Sequence, residues 1–125
     1  MLFRSDLVVL PEMFSTGFSM TPGPVAQTMD SDTVKWLQQT AGALEAHLVG
    51  SVMVAAEGNF YNRLMWATPA GELHTCDKRH LFRMLGEDKV YSGGRTLLTV
   101  AVKGWQIRPF VCYDLRFPEI GRAHV

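Results

Sequence analysis

With 125 residues, 47% hydrophobic and 19% charged, the chain has the composition of one globular domain, and not that of a disordered, collagenous or disulfide-dense protein. Twelve Lys plus Arg balance twelve Asp plus Glu without a run of like charge, so the electrostatic footprint for nucleic acid or an anionic membrane is missing and a small molecule or a protein is the expected partner. Two cysteines are too few for a disulfide framework, no secretory leader pattern is present, and the apolar runs are strand length, so a cytoplasmic protein with no membrane span is expected.

Asp6 to Pro11 (DLVVLP) predicts a buried strand that delivers Glu12 at its end and opens a Gly-containing loop through Met20. Asp30, Ser31 and Asp32 are N-cap candidates, and Val34, Leu37, Ala41, Leu44 and Leu48 follow at the spacing of one helix face, with His47 near the C-terminal end of the dipole. Leu48 to Ala56, Phe60 to Thr68 and Glu72 to Cys76 read as a meander joined at Glu57-Gly58-Asn59 and Pro69-Ala70-Gly71. Periodicity is lost from Asp77 to Arg95, a length typical of functional loops, and two strands follow, Leu97 to Val102 and Gln106 to Cys112, about Lys103-Gly104-Trp105. One helix among several strands implies a layered α/β or α+β arrangement, and since it covers one sheet face only, more chain or a second copy is expected on the other.

A thiol at a strand end ahead of a tight turn is presented like the nucleophile of a strand-turn-helix elbow, which makes Cys112 a candidate nucleophile, although cysteine is also among the most buried residue types. Such a thiol needs a base and a cation nearby, and Glu12 and Lys78 both follow strands directly; each alone is equally a solvated surface charge. His74, Cys76 and His80 lack a fourth ligand and alternate across a strand, so no metal is expected. Trp36, Trp66, Trp105, Phe60, Phe110 and Phe117 read as packing, whereas Phe14, Phe18 and Phe82 lie beside the candidate site residues and are placed to wall a small pocket.

The blocks LPEMF (Leu10 to Phe14), DKRHLF (Asp77 to Phe82) and VCYDLRFP (Val111 to Pro118) resemble the nitrilase, or carbon-nitrogen hydrolase, superfamily, in which a Glu-Lys-Cys triad occurs in that chain order. Within it, PEMFSTGFSM, NFYNRL, DKRHLFRM and GWQIRPFVCYDLRFP are most similar to the omega-amidase branch, which hydrolyses amides of the 2-oxoglutaramate type. The resemblance implies that Cys112 attacks the amide carbon, Glu12 serves as general base, and Lys78 with a backbone N–H holds the oxyanion. It further implies that Glu87 is a second glutamate orienting the lysine, with Asp88 the neighbouring alternative, and that Tyr113, Phe14 and Phe82 meet the substrate, with no cofactor and a homodimeric complete protein. The alternatives are an amidase on another linear amide such as deaminated glutathione, an inactive nitrilase-like binding or assembly module, and an unrelated α/β binding domain.

Members of that superfamily fold as a four-layer αββα sandwich more than twice this length. The chain therefore corresponds to a partial sandwich, without the first strand-helix unit and the C-terminal half, and is expected to be marginally stable and inactive by itself. Leu2 to Ser5 (LFRS) and Ile120 to Val125 (IGRAHV) match translations of a short-read sequencing adapter. Residues 1–5 and 120–125 are thus expected to be adapter-derived tails around a partial hydrolase domain at 6–119.

Overall fold

The computed structural model describes residues 4–117, so the tails at 1–5 and 120–125 fall largely, and the end of the RFPE block wholly, outside the described residues. The fold is α/β, as expected. A four-stranded sheet is ordered β1-β2-β3-β4, with β1 Leu7–Val9, β2 His47–Ala56, β3 Asn59–Ala67 and β4 Leu73–Asp77, and a separate hairpin pairs β5 Val100–Val102 with β6 Trp105–Ile107. Helix α1, Asp32–Leu44, crosses from β1 to the parallel β2, whereas β2-β3 and β3-β4 are antiparallel. It follows that β4 runs in the same direction as β1, and both strands end at the same edge of the sheet. The β2-β3 turn has two successive left-handed residues, Glu57 at φ 53° and Gly58 at φ 78°, the two-residue connection whose twist matches the paired strands.

Alternation along β2 and β3 sorts two apolar layers. Leu48, Val52, Val54, Met65 and Ala67 meet Val34, Leu37 and Ala41 of α1, while Val49, Leu64 and Trp66 meet Val100, Val102 and Val111 on the opposite face. The helix is shorter than its apolar spacing predicts. Ser31 caps it by accepting the Val34 N–H, and Glu45 in the left-handed region ends it, so Leu44 is exposed and Leu48 belongs to β2. His47 is correspondingly no helix-end residue: it opens β2, its Nδ1 accepts the Trp66 indole N–H at 2.9 Å, and burial first holds its pKa below the usual imidazole value.

Three other expectations need correction. β1 is half-buried and not a buried strand, because it is an edge strand three residues long and Val9 is 71% exposed. The last strand stops at Ile107, before Pro109, which has no N–H to offer a ladder, so Cys112 follows chain outside any strand and begins a short 3-10 helix, Cys112–Arg116. Of the three tryptophans only Trp66 is buried, Trp36 and Trp105 standing 47% and 76% exposed. The loop from Asp77 to Arg95 also holds a short helical stretch, α2, Glu87–Val90. Among the described residues no helix is long and apolar enough to cross a membrane.

Glycine is required where backbones touch. Gly94 donates its N–H to the Lys78 carbonyl, and a Cβ there would stand 2.2 Å from the Asp77 carbonyl oxygen, so no side-chain adjustment relieves it. Gly94→Ala should therefore lower the unfolding free energy of the complete protein by about 2–3 kcal/mol. Gly23, with open space around its Cα, is the control: Gly23→Ala should change urea unfolding by less than about 0.5 kcal/mol.

Candidate active site

Because β1 and β4 end at one edge, the residues after them converge. Glu12 follows β1 and Lys78 follows β4, and Lys78 Nζ lies 2.7 Å from Glu12 Oε1. Glu87, from the first turn of α2, places its carboxylate oxygens 3.1 Å from the same ammonium. Lys78 is 1% exposed and Glu87 0% exposed, whereas the neighbouring Asp88 is exposed.

The backbone holds each member in place. Lys78 donates its N–H to the Asn62 carbonyl and accepts from Gly94, so its strand-end position is pinned on both sides. On the Glu12 side, Leu10 N–H pairs with the Val49 carbonyl, Met13 N–H with Ser51 Oγ at 2.8 Å, and Phe14 N–H with the Ser51 carbonyl. Met13 takes a left-handed conformation, φ 50°, which sends Glu12 and Phe14 to opposite sides of β2. Phe14 consequently does not wall the cleft: it packs over Gly50, where a Cβ would stand 2.8 Å from its ring, and its ring lies 6.0 Å from that of Trp36 on the α1 side.

Cys112 lies next to this trio and lines one open cleft of about 1110 Å³ with Glu12, Lys78, Phe18, Phe82 and Tyr113. Its φ of 42° is left-handed, a strain of about 1–2 kcal/mol for a residue with a Cβ, and it provides the sharp turn expected of an elbow without the expected strand beneath it. Phe82 and Tyr113 meet edge to face at 5.0 Å, and Phe18 covers the ammonium, with Lys78 Nζ 5.9 Å from its ring centre. A second cavity of about 420 Å³ shares Glu12 and Cys112 but is lined by Leu7, Val49, Leu64 and Trp66 and lacks Lys78. Chemistry that develops negative charge belongs to the larger cleft, where the ammonium is.

The electrostatics follow from burial. For Lys78, burial pulls the pKa down, but the hydrogen bonds and charges of Glu12 and Glu87 outweigh it, and the pKa is raised. Burial also pushes the Glu87 pKa up, with Lys78 opposing and Glu12 reinforcing. The Cys112 thiol is raised as well, first by partial burial and next by the Glu12 carboxylate, while Lys78 pulls the other way. This thiol is held in its protonated form and needs a base.

Sequence reasoning missed two residues that touch the trio or its frame. Asn62 is fully buried in β3, and its Nδ2 donates to Glu12 Oε1 at 2.7 Å; an amide sharing the alternation of the inward Leu64 and Trp66 was its signal. Tyr91 is buried next to Glu87, donates its hydroxyl to the Ser19 carbonyl at 2.7 Å, and has its pKa pushed up to about 12 by burial and then by Glu87 and Glu12. Asn62 Oδ1 and Glu87 Oε1 are buried without a hydrogen-bond partner among the described residues. His74 and Cys76 stand apart from the trio on β4, and burial raises the Cys76 thiol to about 11.

The carbon-nitrogen hydrolase family matches residues 3–125, and the chain belongs to that family. It is 43% identical over 117 residues to the protein named omega-amidase YafV of Escherichia coli K12, covering 94% of this chain and 45% of that protein. It is 32% identical over 124 residues to the 2-oxoglutaramate amidase of Bacillus subtilis strain 168, covering 97% of this chain and 48% of that one. The crystal structure of XC1258 from Xanthomonas campestris, a CN-hydrolase superfamily protein with an arsenic adduct in its active site, superposes with a TM-score of 0.92 at 50% identity, over 95% of this chain and 45% of that one. The chain thus spans about half the length of the relatives it matches.

Alkylation tests the local field. The midpoint of Cys112 modification by iodoacetamide should lie above the ordinary cysteine value of 9.0, because the raised pKa means a higher pH is needed to form thiolate. Glu12→Gln removes the carboxylate's repulsion and should move that midpoint down; a midpoint unchanged by the substitution would place Glu12 too far away to act on the thiol.

Proposed function

We propose that the protein is a cysteine amidase that hydrolyses the carboxamide of a linear omega-amide of the 2-oxoglutaramate type to a carboxylate and ammonia. The observation that carries the reading is the pairing of a thiol on a strained turn with a carboxylate-ammonium-carboxylate trio, its Lys78 and Glu87 buried, at one cleft. The substrate class is supported by similarity to proteins named omega-amidase and 2-oxoglutaramate amidase. The cytoplasm suits the two free thiols, Cys76 and Cys112.

In this mechanism Glu12 takes the proton of Cys112 as sulfur bonds to the amide carbon and the carbonyl π pair moves onto oxygen. Two of the three ammonium donors of Lys78 face Glu12 and Glu87, which leaves the third for that oxyanion, together with the backbone N–H of Tyr113. The tetrahedral adduct collapses, the carbon–nitrogen bond breaks, and the amide nitrogen leaves as ammonia with the proton returned by Glu12. Water, deprotonated by Glu12, then attacks the thioester through a second oxyanion on the same donors. The carboxylate departs and the thiol is regenerated. Glu87 and Asn62 hold Lys78 and Glu12 in register, and Phe82 and Tyr113 wall the acyl portion.

Cys112→Ala in the complete protein should reduce ammonia release from 2-oxoglutaramate by more than about 10³-fold while leaving the fold intact. Turnover retained in that variant would sink the nucleophile assignment. Faster wild-type turnover of deaminated glutathione than of 2-oxoglutaramate would keep the chemistry and replace the substrate.

A further inference from the structure

Asp114 lies two residues beyond the nucleophile, is 4% exposed, and takes no part in the mechanism above. Its carboxylate faces donors from two separate segments. Oδ1 accepts the His80 backbone N–H at 2.7 Å and lies 3.3 Å from His80 Nδ1, and Oδ2 accepts the Val111 N–H at 3.2 Å. The backbone completes the ring: Asp114 N–H donates to the Val111 carbonyl and Phe117 N–H to the Asp114 carbonyl, each at 3.1 Å. Cys112 and Tyr113 are enclosed between the two bonds that join Val111 and Asp114. Those bonds hold the left-handed turn closed.

The other end of the carboxylate reaches the segment that carries Lys78. His80 is two residues after Lys78, and its ring stacks on Phe117 with centroids 3.7 Å apart and planes within 9°. Tyr113 meets Phe117 edge to face at 5.3 Å and Phe82 at 5.0 Å, so the segments 78–82 and 111–117 are clamped by rings around one buried carboxylate.

We propose that Asp114 is a positioning residue that sets the placement of Cys112 relative to Lys78 and Glu12 by bridging the nucleophile turn to the lysine segment. A carboxylate is required because the bridge presents N–H donors to both oxygens. Asparagine supplies one acceptor, and in either orientation its NH₂ faces a donor.

The effect on turnover rests on the amidase reading; the effect on thiol reactivity does not. In the complete protein, Asp114→Ala should lower kcat per titratable Cys112 thiol by about 10²-fold, with KM within about threefold of wild type. Asp114→Asn, the conservative variant, should fold normally and lose about tenfold. In both variants the thiol leaves the neighbourhood of Glu12, so the iodoacetamide midpoint should move down towards the ordinary cysteine value even as turnover falls. A purely structural role would lower the melting temperature but leave kcat per thiol and the alkylation profile unmoved, and that outcome in both variants overturns the proposal. If wild-type protein hydrolyses no linear amide yet the alkylation profile moves in both variants, the amidase reading fails and the positioning role stands.

Discussion

The arrangement depends on one buried ammonium. Lys78 is almost completely removed from water, and an ion so placed carries a penalty of several kcal/mol unless counter-charges surround it. Glu12 and Glu87 supply them, from the segment after β1 and from the start of α2. Bringing three side chains from distant points of the sequence within hydrogen-bond distance leaves little freedom in the sheet between them. Asn62 fills the interval on β3 by giving its side-chain N–H to Glu12 and its backbone carbonyl to the Lys78 N–H. The same requirement brings the chain at Gly94 against Asp77, where a methyl group has no room.

Of the five non-glycine residues in the left-handed region among the described residues, Met13 and Cys112 flank this trio, and the other three occupy a helix end or hairpin turns where such a conformation is ordinary. Both strained positions have dedicated partners. Ser51 Oγ holds Met13, and Asp114 holds the turn that contains Cys112. Local strain at a site persists only where surrounding contacts over-determine the backbone, and here those contacts come from buried polar side chains. Ser51 and Asp114 are 3% and 4% exposed, so two of the polar side chains placed inside the protein serve to hold turns that would otherwise relax.

The sequence made the meander legible, because strong turn signals separate the long apolar run of β2 from the shorter strand-like stretches of β3 and β4. It also exposed Glu12, Lys78 and Cys112, since each lies at a punctuation point between an apolar run and a polar segment. What it concealed depends on partners that a local pattern does not contain. Leu48 continues the spacing of α1 yet sits in β2, because the left-handed Glu45 ends the helix before the apolar period does. Phe14 is next to a site residue in sequence and on the other side of the sheet in space, as a single left-handed residue divides them. Asn62 reads as an ordinary polar residue until the register of β3 places Glu12 beside it, and the donors that face Asp114 come partly from the Lys78 segment, which no local pattern sets next to it.

The raised thiol pKa determines how such a site would be driven. Cysteine sites paired with a cation often hold a resident thiolate, which is reactive towards electrophiles in general. Here partial burial first, and next the Glu12 carboxylate against the opposing Lys78 ammonium, disfavour an anion on the Cys112 sulfur. In the proposed mechanism the proton therefore leaves as the carbon–sulfur bond forms, and the negative charge passes to an oxygen facing Lys78. A substrate whose carbonyl oxygen reaches the ammonium receives that stabilisation, whereas an electrophile that touches only sulfur does not. Under the proposed mechanism, the charge balance that accompanies the buried Lys78 would thus also be a source of selectivity, exerted through the transition state and not through the resting nucleophile.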